Sequence, residues 1–409
     1  MKINIKIRLF PQPTETFIIS HIIGLINRGI CPKIYTNYYR GIEAFKNPEK
    51  LKKYDIDSLV HKNFKLNTKL PKVLQIFKII SNFKILKFAF RFYRLKLKWS
   101  LEPFYHLYNY RDFEEDLLCH VQFNTSLKPL IELSEIGYLN PKKLIITFHG
   151  YDAFRLTKEV YHKTYSKFYT NHVKAVTVNS NYIKKHLLSV GVSASIIHVI
   201  PVGIDVDAFT DLSQKLNKQD DHIRLVTVGR LIQLKGHKYG IRVLKKLLDM
   251  GYNASYTIVG DGRETFKKTL IAEVIQQNCE KNVIFTGYQP QEEIKKILLT
   301  SSLFLMTSTQ EDLTKREEAL GLVAVEAQAC GLPVIAFDTG GVSETIVNGY
   351  SGFLVEDRNV NAMVQKVISL TKDVKQFKQM GQNAREHAFQ NFDNLKLIDQ
   401  YIKIYKQLG

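Results

Sequence analysis

Two glutamates, Glu318 and Glu326, stand eight positions apart across Gly321 in the stretch EEALGLVAVEAQACGLPVIAFDTGG, residues 317–341. The pattern predicts a loop carrying the first carboxylate, a helix opening at about Gly321, and the second carboxylate inside that helix. Cys330-Gly331 ends the helix, and Leu332-Pro333 leads into an apolar run at 334–337. A loop entering a helix presents backbone N–H groups that lack intrahelical partners, together with the positive end of the helix dipole. That is a natural seat for phosphate. Two acceptor-only carboxylates beside the seat suit a ligand carrying both phosphates and hydroxyls, as a nucleotide-sugar does. Taken alone, the spacing also fits an amphipathic helix with two solvated glutamates.

A second group of charges lies earlier. Gly229-Arg230-Leu231…Lys235-Gly236 follows the apolar run 225–228. If that run is the first strand of a doubly wound domain, the loop sits at the carboxyl edge of its sheet, where such folds bind ligands. Arg230 offers a fork of N–H donors and Lys235 a point charge. Both suit a diphosphate whose charge grows as its bond to a sugar breaks. Gly260 in Val259-Gly260-Asp261-Gly262 and Gly287 in Thr286-Gly287-Tyr288 allow close backbone approach, although glycine at a strand end is also an ordinary turn requirement. Neither loop is a G-x-G-x-x-G fingerprint, and no G-x-x-x-x-G-K-[ST] occurs, which sets NAD and ATP aside. No D-x-D triplet lies in these loops, so the two cations are expected to stabilise the leaving charge without a metal or other cofactor.

The elements that must hold these groups follow from the hydropathy pattern. Short apolar runs at 3–9, 144–148, 175–178, 225–228, 256–259, 283–285, 303–306 and 334–337 end in turn residues and are followed by helical periodicity. Strands alternating with amphipathic helices predict βαβ units and parallel sheets. At 409 residues the chain accommodates two such domains. The polar segment 211–221 reads as the linker, giving a first domain at 1–205 and a second at 222–390. An amphipathic helix over 391–409 is expected to pack back on the first domain.

A hydrophobic content of 45% is ordinary for a globular protein, but the net charge of +19 calls for a polyanionic neighbour. Cys31, Cys119, Cys279 and Cys330 form no C-x-x-C pair, which argues against a zinc site or disulfide framework and fits a reducing cytosol. The N-terminus alternates like a strand, unlike a signal peptide, and no apolar stretch is long enough to span a bilayer. The basic excess concentrates in an insertion at about 60–100. Between Ser58 and Leu101 there is no acidic residue and eleven are Lys or Arg. Lys84, Lys87, Arg91, Arg94 and Lys98 recur at spacings of three and four, one stripe of a helix, beside Ile85, Phe88, Phe92 and Leu95. A basic stripe next to an aromatic face suits an anionic membrane interface, and also an ordinary surface helix with a solvated basic side.

In order along the chain these motifs resemble family 4 of the retaining, GT-B-fold glycosyltransferases. The resemblance rests on Gly229-Arg230-Leu231…Lys235-Gly236, Val259-Gly260-Asp261-Gly262, Phe285-Thr286-Gly287, and Glu318-x₇-Glu326 with Ala329-Cys330-Gly331-Leu332-Pro333-Val334-Ile335. Phe10-Pro11…Glu15-Thr16-Phe17-Ile18 is similar to the N-terminal loop of members that build bacterial exopolysaccharides of the colanic acid and amylovoran type. Thr147-Phe148-His149-Gly150-Tyr151-Asp152 resembles the family's cleft loop. Val178-Asn179-Ser180, Gly191 and Ile200-Pro201-Val202-Gly203-Ile204-Asp205…Phe209 resemble its lead-in to the hinge.

The resemblance implies an α/β architecture of two Rossmann-like doubly wound domains facing a central cleft. It implies retaining, metal-independent transfer of a hexose, from a UDP-sugar in the first instance, to a lipid-linked glycan. Such chemistry belongs to surface polysaccharide, capsule or lipopolysaccharide assembly at the cytoplasmic face of the plasma membrane. Arg230 and Lys235 would hold the donor diphosphate, Glu318 the sugar hydroxyls and Glu326 the ribose hydroxyls. The N–H groups of Gly321, Leu322 and Val323 would meet sugar and phosphate, with Gly229, Gly260, Gly287 and Tyr288 completing the donor site. His149 would approach the reacting sugar from the first domain. Glu15, Thr16, His120 and Asp152 would face the acceptor or line the cleft. Two features depart from the family pattern: the long charged loop 307–318 followed by Ala319-Leu320, which bears on the donor sugar, and Gln122 in place of a second histidine. A sugar-nucleotide epimerase or hydrolase of related fold would need a further acid/base set. A membrane- or nucleic-acid-binding scaffold would rest on charge alone, and no nucleic-acid motif appears.

Overall fold

The computed structural model describes residues 1–12, 15–45, 47–61, 81–96, 102–209 and 221–409. The chain forms two compact units: Met1–Val178, Lys184–Ile200 and Ile398–Gly409 make the first, Asn179–Ile183 and Pro201–Leu397 the second. The change of unit thus comes at Pro201, ahead of the polar segment 211–221, which apart from Asp221 lies outside the described residues.

The first unit is built on a parallel sheet of β1 (Lys2–Phe10), β2 (Cys31–Tyr39), β3 (Val60–His61), β4 (Cys119–Gln122), β5 (Leu144–Phe148), β6 (Val173–Val178) and β7 (Ile197–Val199), in the order β3-β2-β1-β4-β5-β6-β7. The second holds β8 (Ile223–Val228), β9 (Ala254–Val259), β10 (Val283–Gly287), β11 (Leu303–Met306), β12 (Val334–Phe337) and β13 (Gly352–Val355), in the order β10-β9-β8-β11-β12-β13. Each sheet is wound outward from its first strand in both directions, the Rossmann arrangement. Its ligand crevice opens where the winding reverses, beyond the carboxyl ends of the two central strands. In the second unit those strands are β8 and β11, the ones followed directly by Gly229 and Thr307.

Alternation along the strands sends side chains to two cores. Leu303, Leu305, Ile335 and Phe337 pack on one face of the second sheet with Ile241, Leu244 and Leu247 of a helix at His237–Asp249 and Met363 and Val367 of a helix at Val360–Lys372. Phe304, Met306, Val334 and Ala336 face the other side, against Ala324, Val325 and Ala327 of a helix at Leu322–Ala329. Burial on both faces explains why these strands read as continuous apolar runs. All eight expected runs are strands. Among the described residues five further strands appear. β2 interleaves Pro, Lys, Thr and Asn with its apolar residues, β4 carries His120 and Gln122, β13 begins at a glycine, and β3 and β7 are very short.

The helices used below are α1 (Thr16–Asn27), α2 (Phe83–Lys96), α3 (Asn181–Val190), α4 (His237–Asp249), α5 (Leu322–Ala329), α6 (Val360–Lys372) and α7 (Asn394–Leu408). From Ile398 onward the last helix is part of the first unit. In α2 the stripe divides differently from the expectation. Ile85, Ala89 and Tyr93 are buried, while Phe83, Phe90 and Leu95 are exposed beside Lys84, Lys87, Arg91 and Arg94. Lys98 lies outside the described residues. Lys84 also stacks on the Tyr138 ring at 5.2 Å, so part of the basic stripe packs on the protein itself.

Candidate active site

In the second unit, backbone contacts lace the strand-end loops together. The Gly229 N–H donates to the Val259 carbonyl and the Gly260 N–H to the Gly287 carbonyl, each at 2.9 Å. A Cβ at Gly260 would stand 1.9 Å from the Gly229 oxygen, in a conformation (φ +139°) that side chains rarely adopt. Glycine there is therefore required by loop packing. The β8–α4 loop is pinned to the end of β11 as well: the Thr307 hydroxyl donates to the Lys235 carbonyl at 3.0 Å, and a Cβ at Gly236 would meet the Thr307 oxygen at 1.9 Å.

This lacing carries Lys235 to Glu318. The Lys235 stem lies over Gly229, and its Nζ donates to Glu318 Oε2 at 2.6 Å, with each side chain only 15% exposed. Burial pushes the Glu318 carboxyl up, but Lys235, Ser308 and the charge of Arg230 together hold it below the ordinary value, so it is ionised. Ser308 donates its hydroxyl to the same Oε2 at 3.4 Å. Arg230 is exposed at the loop surface, its carbonyl fixed by His237 Nε2 at 3.0 Å. α5 opens at Gly321, which takes the left-handed conformation (φ 92°) and offers no side-chain cap, so the N–H groups of Leu322 and Val323 begin the helix. Glu326, one turn on, is half-buried, and burial pushes its carboxyl up to about 7. Tyr288 is exposed beside Gly287. The charged loop 307–318 is tied down by Arg316–Glu311 at 2.8 Å, Arg358–Asp312 at 3.0 Å and the Thr339 hydroxyl to the Ser308 carbonyl at 2.9 Å.

In the first unit, His149 sits at the end of β5 between the rings of Phe17 and Phe123, each with its centroid 4.6 Å away. Its Nε2 pairs with Gln122 Oε1 at 2.8 Å, and burial pushes it down to about 3, so the ring is neutral. Asp152 anchors the loop by accepting from the backbone N–H of Asn124 at 2.9 Å and of His149 at 3.0 Å. Burial pushes Asp152 up to about 6 and, with Asp152 adding to it, Glu15 up to about 7. Thr16 is exposed at the start of α1. His120 corrects the expectation for the acceptor side. It is fully buried, with Nδ1 at 2.6 Å from the Tyr405 hydroxyl of α7 and Nε2 at 2.5 Å from Thr147 Oγ1. A polar group inside a core needs such partners, and here one comes from the C-terminal helix and the other from β5.

Two family descriptions match the chain in tandem: Glycosyltransferase Family 4 over residues 68–208 and Glycosyl transferases group 1 over residues 208–387. The amylovoran biosynthesis glycosyltransferase AmsK of Erwinia amylovora is 27% identical over 91% of each chain. The chain belongs to the family 4, group 1 glycosyltransferases. The putative colanic acid biosynthesis glycosyltransferase WcaL of Salmonella typhimurium shares 26% identity with this glycosyltransferase over 68% of it and 67% of the relative. Among solved structures, Anabaena Alr3699/HepE in complex with UDP and glucose aligns over all of both chains at TM-score 0.70 and 19% identity. A glycosyltransferase from Rickettsia africae aligns over all of this chain and 98% of its own at TM-score 0.69 and 21% identity. These likenesses establish the GT-B fold for the glycosyltransferase.

Sequence reasoning missed Ser308, the second ligand of Glu318. Its only signal is a hydroxyl two residues beyond an apolar strand at the sheet's switch point. It also left Glu344 aside, although that residue follows Gly340-Gly341 in the motif region. Among the described residues no three His, Cys, Asp or Glu side chains converge as metal ligands, and no helix is long and apolar enough to cross a membrane.

Proposed function

We propose that this glycosyltransferase moves a hexose from a UDP-sugar to a lipid-linked glycan with retention of anomeric configuration, in bacterial surface polysaccharide biosynthesis. The observation that carries the reading is the Lys235–Glu318 pair beside the opening of α5, with Arg230 on the same loop as Lys235. An ammonium has three donors, so Lys235 can hold Glu318 and a phosphate oxygen together. Arg230 and Lys235 stabilise the charge that collects on the departing diphosphate. Glu318, ionised, accepts from sugar hydroxyls, and Glu326 from the ribose. His149, in the first unit, is a neutral ring. Glu318 is committed to Lys235, which suits a sugar-holding role better than attack on the anomeric carbon. The names of the relatives and the UDP and UDP-glucose of the Anabaena neighbours support polysaccharide synthesis and a uridine donor.

The lipid-borne acceptor would place the enzyme at the inner face of the membrane. The exposed Phe83, Phe90 and Leu95 beside Lys84, Lys87, Arg91 and Arg94 of α2 suit that interface, where each nearby cation adds about 1 kcal/mol of attraction to anionic lipid.

The test is thermal stabilisation by UDP, GDP and their sugars, followed by transfer assays. A ligand that binds only the native state raises the melting temperature. UDP-sugars are expected to do so, and Arg230→Ala or Glu326→Ala to abolish transfer in a folded protein. Unchanged turnover in those variants rejects the site, and stabilisation by GDP-sugars alone rejects the uridine donor.

A further inference from the structure

The residues on both sides of Glu318 are held by one short segment, Asn179–Ile183. It follows β6 in the chain but belongs to the second unit. Ser180, fully buried, donates its hydroxyl to the Ala319 carbonyl at 2.6 Å. The Tyr182 hydroxyl bonds to the side chain of Glu317. The segment is itself anchored by Glu344, whose carboxylate accepts from the Asn181 backbone N–H at 2.7 Å, Asn181 Nδ2 at 2.9 Å and the Tyr182 backbone N–H at 2.9 Å. Those backbone groups open α3, so Glu344 satisfies a helix start from a distant part of the sequence.

The other side of the loop is closed as tightly. The Gly341 N–H donates to the Glu318 carbonyl at 2.8 Å. A Cβ at Gly340 would stand 2.3 Å from that same oxygen, and one at Gly341 would stand 2.1 Å from the Ala319 oxygen. The peptide planes around Glu318 are therefore fixed from two sides while its carboxylate reaches Lys235. A buried hydroxyl and a carboxylate taking three N–H groups are a large polar commitment for a loop that bears one functional side chain. A binding group must be held to within a fraction of an ångström to select its ligand.

We propose that Ser180, Tyr182 and Glu344 form a clamp that positions Glu318 against the donor sugar, making them determinants of sugar recognition and leaving nucleotide recognition to other residues. The inference rests on the reading that Glu318 holds sugar hydroxyls. The clamp acts through the backbone of residues 317–319. The nucleotide contacts hang on other elements, Arg230 and Lys235 on the β8–α4 loop and Glu326 within α5.

The experiment is calorimetric titration with UDP, GDP, UDP-glucose, UDP-N-acetylglucosamine and GDP-mannose. The sugar-nucleotide bound most tightly by the unchanged protein is then compared with its own nucleoside diphosphate. Ser180→Ala and Glu344→Gln are each expected to weaken the sugar-nucleotide about tenfold, the worth of one well-placed hydrogen bond to a charged group, and to leave the diphosphate within about twofold. Ser180→Thr, which keeps the hydroxyl, should restore discrimination. Tyr182→Phe removes a hydroxyl alone, shifts the ratio in the same direction, and stands in if Ser180→Ala does not fold. Equal losses for both ligands, or discrimination unchanged in Ser180→Ala and Tyr182→Phe, overturn the clamp while the donor site survives. If no probe binds the unchanged protein, the donor site and the clamp fall together.

Discussion

Lys235 and Glu318 are each other's counter-charge before any donor arrives, at 2.6 Å and 15% exposure each. Lys235→Met keeps the stem that lies over Gly229 and removes the charge. Removing one partner of a buried pair costs about 3–5 kcal/mol. Two features lower that figure here. Ser308 and Arg230 still pull the Glu318 carboxyl down. The carboxyl can also escape by taking up a proton, which from its ordinary value of 4.5 costs at most about 3.4 kcal/mol at neutral pH, at about 1.4 kcal/mol per pH unit. The expected loss at pH 7 is therefore about 2–3 kcal/mol, or roughly 4–12 °C in the melting of a unit this size. In the variant, Glu318 has its folded pKa raised above the unfolded value. Its penalty is full above the folded pKa and fades as pH falls towards the unfolded one. The variant should thus approach the unchanged protein near pH 5 and fall furthest behind near pH 8. Scanning calorimetry of Lys235→Met, Glu318→Gln and the double variant at both pH values reads this directly, with the double variant recovering most of the loss. A variant as stable as the unchanged protein at pH 8, or a deficit that grows towards acid, refutes the reasoning.

Glu326, pushed up to about 7, opposes folding above that pH and ceases to do so below its unfolded value, so Glu326→Gln should stabilise by about 1–3 kcal/mol near pH 8 and hardly at all near pH 4.5. Because the ionised form is the better acceptor for ribose hydroxyls, donor affinity should fall as pH drops through 7, and a flat profile in titrations from pH 5.5 to 8.5 counts against that role. Transfer should persist in excess chelator, and loss restored by Mg²⁺ or Mn²⁺ would show that a metal is needed. Replacing Lys87 and Arg94 by Gln should reduce flotation with anionic vesicles and make its loss with salt shallower, while neutral vesicles bind neither form. Equal flotation of both forms removes α2 from the membrane reading.

Much of the candidate site was legible because its chemistry is local in sequence. A loop carboxylate, a helix opening at Gly321 and a second carboxylate one turn on lie within one short stretch, and the buried strands around them read as apolar runs since both faces are covered. The order of motifs along the chain carried the family and the two Rossmann-like sheets. Only the tertiary structure decided what each polar residue does. His120 looked like an acceptor-side histidine until the C-terminal helix brought Tyr405 to its ring, a contact across most of the chain that no local pattern announces. The stripe of α2 divided between solvent and protein for the same reason, since helical spacing states which residues share a face but not what that face meets. Ser180 and Glu344 bear on Glu318 through hydrogen bonds that close only when the segment Asn179–Ile183, the Glu318 loop and Gly340-Gly341 converge. Residue type and spacing thus determined which chemistry this chain carries, and the folded backbone determined which partner each charged group has.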